Sequence, residues 1–162
     1  MGEAGSEWQV GSRLATTAKF LGDKGSASPR LDAELLLARV LSMSKVQLYL
    51  NFERSLSQPE LDEYRGLVRR RAAFEPVAYI LGVKEFYGLK LKTTSAALIP
   101  RPETEHLVDE ALRLAGELWP GLSVSLADVG CGSGAISLAL ASKLKGRIQA
   151  VAISAEALAL AR

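Results

Sequence analysis

The chain has 162 residues, of which 48% are apolar and 23% charged, and its formal net charge is +2. This composition excludes the disordered class and provides enough residues for one compact domain or two small ones. Because the charges are mixed along the sequence, we predict neither nucleic acid nor a membrane surface as a direct partner.

Several other classes of protein fit the sequence poorly. A single cysteine, Cys131, excludes an internal disulfide, and with His106 as the one histidine we predict no metal site. No apolar run approaches the ~20 residues that a membrane span needs. The first residues are acidic and polar, unlike a secretory signal or an Arg-rich transit peptide, so we expect a cytoplasmic protein rather than a mitochondrial one.

The first part of the chain is predicted to be helical. Apolar residues at helical spacing indicate a helix over 8–21, and Ser28 followed by Pro29 predicts the N-cap of a second helix that ends at Leu41. A short helix or turn is expected over 45–51. The Ser-x-x-Glu spacing of Ser57 and Glu60 is a capping box and predicts a further helix.

That last helix ends in an arginine cluster, Arg69 to Arg71, with Arg65 one turn before it. Basic residues complement the dipole at a helix C-terminus. No aromatic residues interleave with them as stacking platforms, so a solvated helix end is favoured over a contact with RNA or protein.

The composition changes at Glu75-Pro76. Residues 77–99 contain aromatic and β-branched residues with alternation at 89–92, which predicts a β-hairpin between two domains. Two prolines and acidic residues over 100–105 then predict the start of a helix that ends near Trp119.

After Gly121 the pattern alternates between strands and helices. We predict a strand over 123–129, a glycine loop, a helix over 135–144, a strand over 147–153, and a helix over 155–162 capped by Ser154. This alternation is typical of an α/β fold with a parallel sheet. Two strands and two short helices bury too little surface to complete such a domain, because a parallel sheet is covered on both faces.

The glycine loop has the sequence Asp-x-Gly-x-Gly-x-Gly from Asp128 to Gly134. Glycines let a ligand approach the main chain, and free N–H groups at a helix start favour anionic or polar ligands, so a nucleotide-like cofactor is expected. The spacing fits neither dinucleotide binders nor phosphate-binding P-loops. The alternative is a turn where strand and helix merely pack closely. Cys131 is interpreted as a small packing residue rather than a nucleophile, because no base lies nearby in sequence.

Together, several motifs resemble the release-factor glutamine methyltransferases, the PrmC or HemK family. The motifs are Ser-Pro-Arg-Leu-Asp-Ala-Glu-Leu-Leu at 28–36, Arg-Arg at 70–71, Glu-Pro-Val-Ala-Tyr-Ile-Leu-Gly at 75–82, Glu-Phe-Tyr-Gly at 85–88, Ile-Pro-Arg-Pro-Glu-Thr-Glu at 99–105 and Asp-Val-Gly-Cys-Gly-Ser-Gly at 128–134. The resemblance implies methyl transfer from S-adenosylmethionine to the glutamine of a Gly-Gly-Gln tripeptide in peptide-chain release factors.

The resemblance also implies the domain organisation. It divides the chain into an N-terminal helical substrate-recognition domain over 1–75, a β-hairpin linker over 76–99, and an incomplete cofactor domain over 100–162. The last part corresponds to the first βαβα portion of a Rossmann-like S-adenosylmethionine-dependent methyltransferase domain. The oligomeric state is not implied.

The cofactor-binding residues implied by the resemblance lie at the ends of the two predicted strands. They are Asp128, Gly130, Cys131, Gly132, Ser133, Gly134 and Ala152. A loop beside the cofactor pocket is implied at Arg101, Glu103, Thr104 and Glu105, whose alternative role is simply to start a helix. No catalytic residue is assigned.

Two departures from the family pattern weaken the prediction of activity. Ala152 stands where the family usually has an aspartate that accepts hydrogen bonds from the cofactor ribose, and Glu156 is a poor substitute because it follows on a helix. The Asn-Pro-Pro-Tyr substrate motif is absent, since the one asparagine is Asn51. We therefore predict weak or no catalysis, and a non-catalytic module that binds a release factor or another protein is the alternative.

Overall fold

A computed structural model describes residues 8–161, which fall into two units, one ending at Leu81 and one beginning at Gly82. In order, the elements are α1 (Val10–Asp23), α2 (Pro29–Leu41), α3 (Lys45–Leu50), α4 (Gln58–Ala72), α5 (Val77–Leu81), β1 (Val83–Phe86), β2 (Leu89–Lys92), a 3-10 turn (Pro102–Thr104), α6 (Glu105–Leu118), β3 (Val124–Val129), α7 (Ala135–Ala141), β4 (Gly146–Val151) and α8 (Ala155–Leu160). The predicted α/β class, with helices first and βαβα last, is confirmed.

Within residues 8–81, the first unit is a bundle of five helices around one core. α2 lies at its centre and packs against α1, α3, α4 and α5. Leu14, Leu36, Leu37 and Leu48 have no exposed surface. Burying a leucine side chain contributes about 1.5–3 kcal/mol relative to leaving it in water, so the helices are held chiefly by this leucine core.

The serines predicted as helix caps behave differently. The Ser57 N–H donates to the Glu60 carboxylate over 2.8 Å, as the capping box predicted. Ser28 occupies the N-cap position of α2, but its side chain makes no capping hydrogen bond. Its backbone carbonyl accepts the Asp32 N–H over 2.9 Å and Pro29 begins the helix, so the predicted N-cap position is confirmed.

The interpretation of the arginine cluster as a solvated helix end is wrong for Arg71, which is largely buried. Its Nε donates to Asp32 Oδ2 over 2.7 Å, and the two side chains are only 17% and 10% exposed. The Ser26 hydroxyl donates to the same oxygen over 2.6 Å. Arg71 therefore joins α4 to α2, whereas Arg70 makes an exposed pair with Glu75.

Residues 77–81 are helical, so the prediction of a hairpin starting at Val77 is wrong. The N–H groups of Tyr79 and Ile80 both donate to the Pro76 carbonyl, over 2.9 and 3.1 Å. Ile80 is 8% exposed and belongs to the core of the first unit. Burial of this side chain outweighs the β propensity of the segment, because propensity is a weak preference beside tertiary packing.

The second unit begins with a short antiparallel hairpin, in which Phe86 pairs with Leu89. The turn residues Tyr87 and Gly88 have φ of +51° and +73°, as a type I′ turn requires. Glu105 accepts the Tyr87 N–H over 2.8 Å, and Asp109 accepts the Tyr87 hydroxyl over 2.8 Å. The start of α6 thereby holds a tyrosine in a conformation that usually favours glycine or asparagine.

β3 and β4 form a two-stranded parallel sheet in which Val129 pairs with Val151. α7 packs against β4, and α6 packs against α7. Their small core contains Phe86, Val108, Ala139 and Leu140. Val129 and Val151 remain 82% and 53% exposed.

No helix within 8–161 is long and apolar enough to cross a membrane. Over the same range, no group of three or more His, Cys, Asp and Glu side chains is arranged to hold a metal ion. The division into three functional parts stays a prediction.

Candidate cofactor-binding loop

The glycine loop lies between the C-terminal end of β3 and the N-terminal end of α7. Gly130, Gly132 and Gly134 have φ of +85°, +54° and +75°. Side chains with a Cβ rarely adopt these values, so the backbone path requires glycine at alternate positions. A Cβ on Gly134 would also lie 2.9 Å from the Cβ of Ala161.

The loop is attached to the end of the neighbouring strand. The N–H groups of Gly130 and Cys131 both donate to the Val151 carbonyl, over 2.7 and 3.0 Å. The Gly134 N–H donates to the Cys131 carbonyl over 2.8 Å and closes the turn. Because Val151 directly precedes Ala152, these bonds bring the loop close to the predicted ribose position.

Asp128 is held by a contact that the sequence analysis missed. The Ser137 hydroxyl, in a residue that is 8% exposed, donates to Asp128 Oδ2 over 2.6 Å. The bond ties the end of β3 to the first turns of α7 across the loop. A signal was present, because Ser137 is the one hydroxyl residue among the apolar residues of α7.

Cys131 has the properties of a packing residue. It is 9% exposed, and burial raises the pKa of its thiol, as does the nearby charge of Asp128 to a smaller extent. A raised pKa lowers the thiolate fraction at neutral pH, and the thiolate is the reactive species. These observations support the packing interpretation over the nucleophile.

Ala152 follows directly after β4, is half-buried and carries no polar side-chain atom. Ser154, two residues on, caps α8 as predicted, since its Oγ accepts the Ala157 N–H over 3.1 Å. Glu156 is exposed in the first turn of α8. No hydrogen bond among the described residues directs the Glu156 carboxylate toward the loop.

The predicted pocket segment splits into two groups. Arg101, Glu103 and Thr104 line an open depression together with Leu107. Glu105 does not line it, because its carboxylate accepts the Tyr87 N–H of the hairpin turn. The interpretation that Glu105 starts a helix and supports local structure is therefore favoured over a pocket role.

Two backbone N–H groups of the loop are available to a cofactor with polar or anionic groups. Within residues 8–161, the N–H groups of Gly132 and Ser133 have no hydrogen-bond partner. Adjacent free N–H groups in a positive-φ glycine loop are the arrangement that binds such ligands. The missing element is the ribose acceptor at Ala152, so the residues present fit the cofactor in part.

Known proteins are similar to this chain in both the helical unit and the glycine loop. A family model described as the PrmC N-terminal domain matches residues 13–82. The chain is 43% identical over 157 residues to a release factor glutamine methyltransferase from Rhodopirellula baltica, with 96% of this chain aligned. Over nearly its whole length the chain is therefore similar to release factor glutamine methyltransferases, and its residues 13–82 match the PrmC N-terminal domain.

Other relatives with the same name show similar coverage. The Chlorobaculum tepidum protein is 45% identical over 158 residues, and the Geobacter sulfurreducens protein is 42% identical over 156 residues. The alignments cover 96% of this chain but 53–54% of these three relatives. The chain therefore spans about half the length of the curated relatives that it matches.

Proposed function

We propose that the chain is the N-terminal part of an enzyme that transfers a methyl group from S-adenosylmethionine to the glutamine of the Gly-Gly-Gln tripeptide in release factors. The observation that carries this proposal is 42–45% identity, over 96% of the chain, to relatives named release factor glutamine methyltransferase. The positive-φ loop supports it from the structure. The proposal includes a cytoplasmic location, where release factors act.

In this proposal the described residues bind the cofactor. S-adenosylmethionine supplies an electrophilic methyl group on a sulfonium. The N–H groups of Gly132 and Ser133 provide donors, and Asp128, oriented by Ser137, shapes the loop. Ala152 provides no ribose acceptor, and a charged acceptor contributes about 1.5–3 kcal/mol, so we expect affinity lower by about one to two orders of magnitude than with aspartate.

The transfer step depends on positioning of the substrate. An amide nitrogen is a weak nucleophile, and holding it against the methyl group can contribute about 7–11 kcal/mol. The family holds the glutamine with an Asn-Pro-Pro-Tyr motif, which is absent from the 162 residues. We therefore expect the chain alone to transfer little or no methyl group to a release factor.

Calorimetric titration with S-adenosylmethionine tests the cofactor proposal. We expect weak binding to the chain and binding about 10-fold or more tighter to Ala152→Asp. Ala159→Asp is the matched control, because it adds the same charge at an exposed position of α8. A gain in Ala159→Asp equal to that in Ala152→Asp would contradict a ribose site at residue 152.

The second candidate is a non-catalytic module that binds a release factor or another protein through its helical unit. It is favoured by the family model, which matches residues 13–82 and hence the unit with its own leucine core. Absence of S-adenosylmethionine binding in both the chain and Ala152→Asp, with retained capture of a release factor, supports this module over the enzyme. Methyl transfer to a release factor at the rate of a full-length relative would exclude it.

A further inference from the structure

A groove of about 280 Å³ runs between α1 and α4 in the helical unit. It is distant in sequence from every residue assigned above to the cofactor. Its lining comes from one face of each helix: Arg13, Thr17 and Phe20 on α1, and Tyr64, Arg65 and Arg69 on α4. Residues three and four apart share a helix face, so each helix presents a continuous stripe to the groove.

The floor of the groove is rigid and offers mainly apolar contacts. Tyr64 is 2% exposed, and its hydroxyl donates to the Ala33 carbonyl over 3.1 Å. Thr17 also lines the groove and is 8% exposed. Phe20 is 41% exposed, so a large apolar ring remains open to a ligand at one end of the groove.

Several cationic side chains of the described residues lie at the rim of the groove. Arg13 and Arg65 lie over the ring of Trp8, at 4.7 and 5.5 Å from its centroid, and these contacts orient both guanidinium groups. Arg69 is exposed one turn beyond Arg65, and Lys24 lies 5.9 Å from the ring of Phe20.

Arg65 pairs with Asp62 over 3.3 Å, with both side chains exposed. Both side chains remain open to solvent, so the Arg65 guanidinium stays accessible to a further carboxylate.

We propose that this groove binds an acidic polypeptide segment that carries an apolar side chain. Its carboxylates accept hydrogen bonds from Arg65 and Arg69, because guanidinium groups match carboxylates in charge and geometry. Its apolar side chain packs on Phe20. Single-stranded RNA is the poorer fit, because it binds through stacking on open aromatic faces and Trp8 is already covered by two guanidinium groups.

This inference goes beyond the methyltransferase proposal and does not depend on it. The groove lies wholly within the described residues before Leu81, and none of its residues contributes to the glycine loop. Loss of cofactor binding would leave the groove proposal intact, and failure of the groove proposal would leave the cofactor proposal intact.

The test measures fluorescence anisotropy of a labelled 12-residue peptide, with glutamates flanking one central leucine, titrated with the full chain at low salt. We expect the double variant Arg65→Ala/Arg69→Ala to weaken binding about tenfold, and Phe20→Ala to weaken it several-fold. Arg39→Ala is the matched control, because it removes an exposed arginine from α2, away from the groove, and we expect unchanged affinity. A peptide with lysine in place of glutamate should not bind.

Four results would overturn the proposal. One is equal weakening by Arg39→Ala and by the double variant, which would indicate non-specific charge attraction. The others are tighter binding of a 12-residue oligouridine than of the acidic peptide, no binding of the acidic peptide, and peptide-induced amide chemical-shift changes that lie outside α1 and α4. Circular dichroism of each variant shows whether the helices are retained. If Arg65→Ala/Arg69→Ala unfolds, Arg65→Gln/Arg69→Gln replaces it, and if Phe20→Ala unfolds, Phe20→Leu replaces it.

Discussion

The two units of this chain differ in how completely their apolar residues are covered. In the helical unit, α2 is surrounded by other helices and Leu36 and Leu37 have no exposed surface. In the second unit, Val129 and Val151 at the ends of the two parallel strands are largely exposed. Helices linked by short turns can enclose a core from neighbours in sequence, whereas a parallel sheet requires further elements on both faces.

The substitution with the largest expected effect shortens a buried side chain in the helical core. We expect Leu36→Ala to lower the free energy of unfolding by about 2–5 kcal/mol, because a fully buried side chain is replaced by a cavity. The measurement is urea unfolding followed by Trp8 fluorescence in a Trp119→Phe background, which leaves one tryptophan in the helical unit.

The substitution to compare with it in the second unit is Val129→Thr, which makes an exposed apolar side chain polar and keeps its β-branched shape. Because Val129 is 82% exposed, we expect a change within about 0.5 kcal/mol, measured by Trp119 fluorescence in a Trp8→Phe background. A loss above 1 kcal/mol would show that another surface covers this face in solution and would break the contrast.

The close approach of β4 to β3 at Gly146 can also be tested. Gly146 begins β4 with φ of +140°, and a Cβ there would lie 1.9 Å from the Val124 carbonyl oxygen. We expect Gly146→Ala to destabilise this unit by about 2 kcal/mol or more, because the strand must move away from β3. The measurement is urea unfolding followed by Trp119 fluorescence.

Gly116→Ala is the control for that substitution. This residue lies in α6 with nothing within 4 Å of the new methyl group, and we expect a gain of about 0.5–1 kcal/mol. Destabilisation by both substitutions would mean that the sheet geometry is not the cause.

The sequence predicted those parts of the fold that depend on neighbouring residues. The long helices follow from apolar residues at helical spacing, and the glycine loop follows from its alternating glycines. Contacts between distant residues were not predictable in this way. Arg71 and Asp32 are 39 residues apart, and their ion pair depends on how α4 packs against α2.

The same reason explains which contacts of the site residues the sequence did not predict. Whether Glu105 faces a pocket or the Tyr87 N–H depends on where the hairpin turn lies. The Ser137 contact to Asp128 depends on the rotation of α7 about its axis. Residue type and spacing give the loop, whereas side-chain orientation comes from packing.

A smaller effect tests the attachment of α3 to α2 through Glu34. Burial raises the pKa of this carboxyl, but hydrogen bonds from the Tyr49 hydroxyl and the Arg30 guanidinium together hold its net pKa below the ordinary value. A depressed folded-state pKa contributes stability above the unfolded pKa, and this stability is lost as pH falls through the folded pKa.

We therefore expect Tyr49→Phe to lower the free energy of unfolding by about 1 kcal/mol at pH 7, because a hydrogen bond to a charged group is lost. The difference from the wild type should shrink between pH 7 and pH 3, as the pH falls toward the depressed pKa of Glu34. Urea unfolding at the two pH values, followed by Trp8 fluorescence, measures it. An equal difference at both values would indicate that lost packing, rather than the charged hydrogen bond, is the cause.

The smallest expected effect is a gain of stability in the helical unit. Gly66 lies within α4, where a Cβ would meet nothing within 4 Å, and glycine costs about 0.5–1 kcal/mol relative to alanine inside a helix. We expect Gly66→Ala to raise the free energy of unfolding of this unit by that amount, followed by Trp8 fluorescence, and to leave the Trp119 transition unchanged. If both transitions shift together, the two units unfold cooperatively, and the contrast between a closed and an open core does not extend to their stabilities.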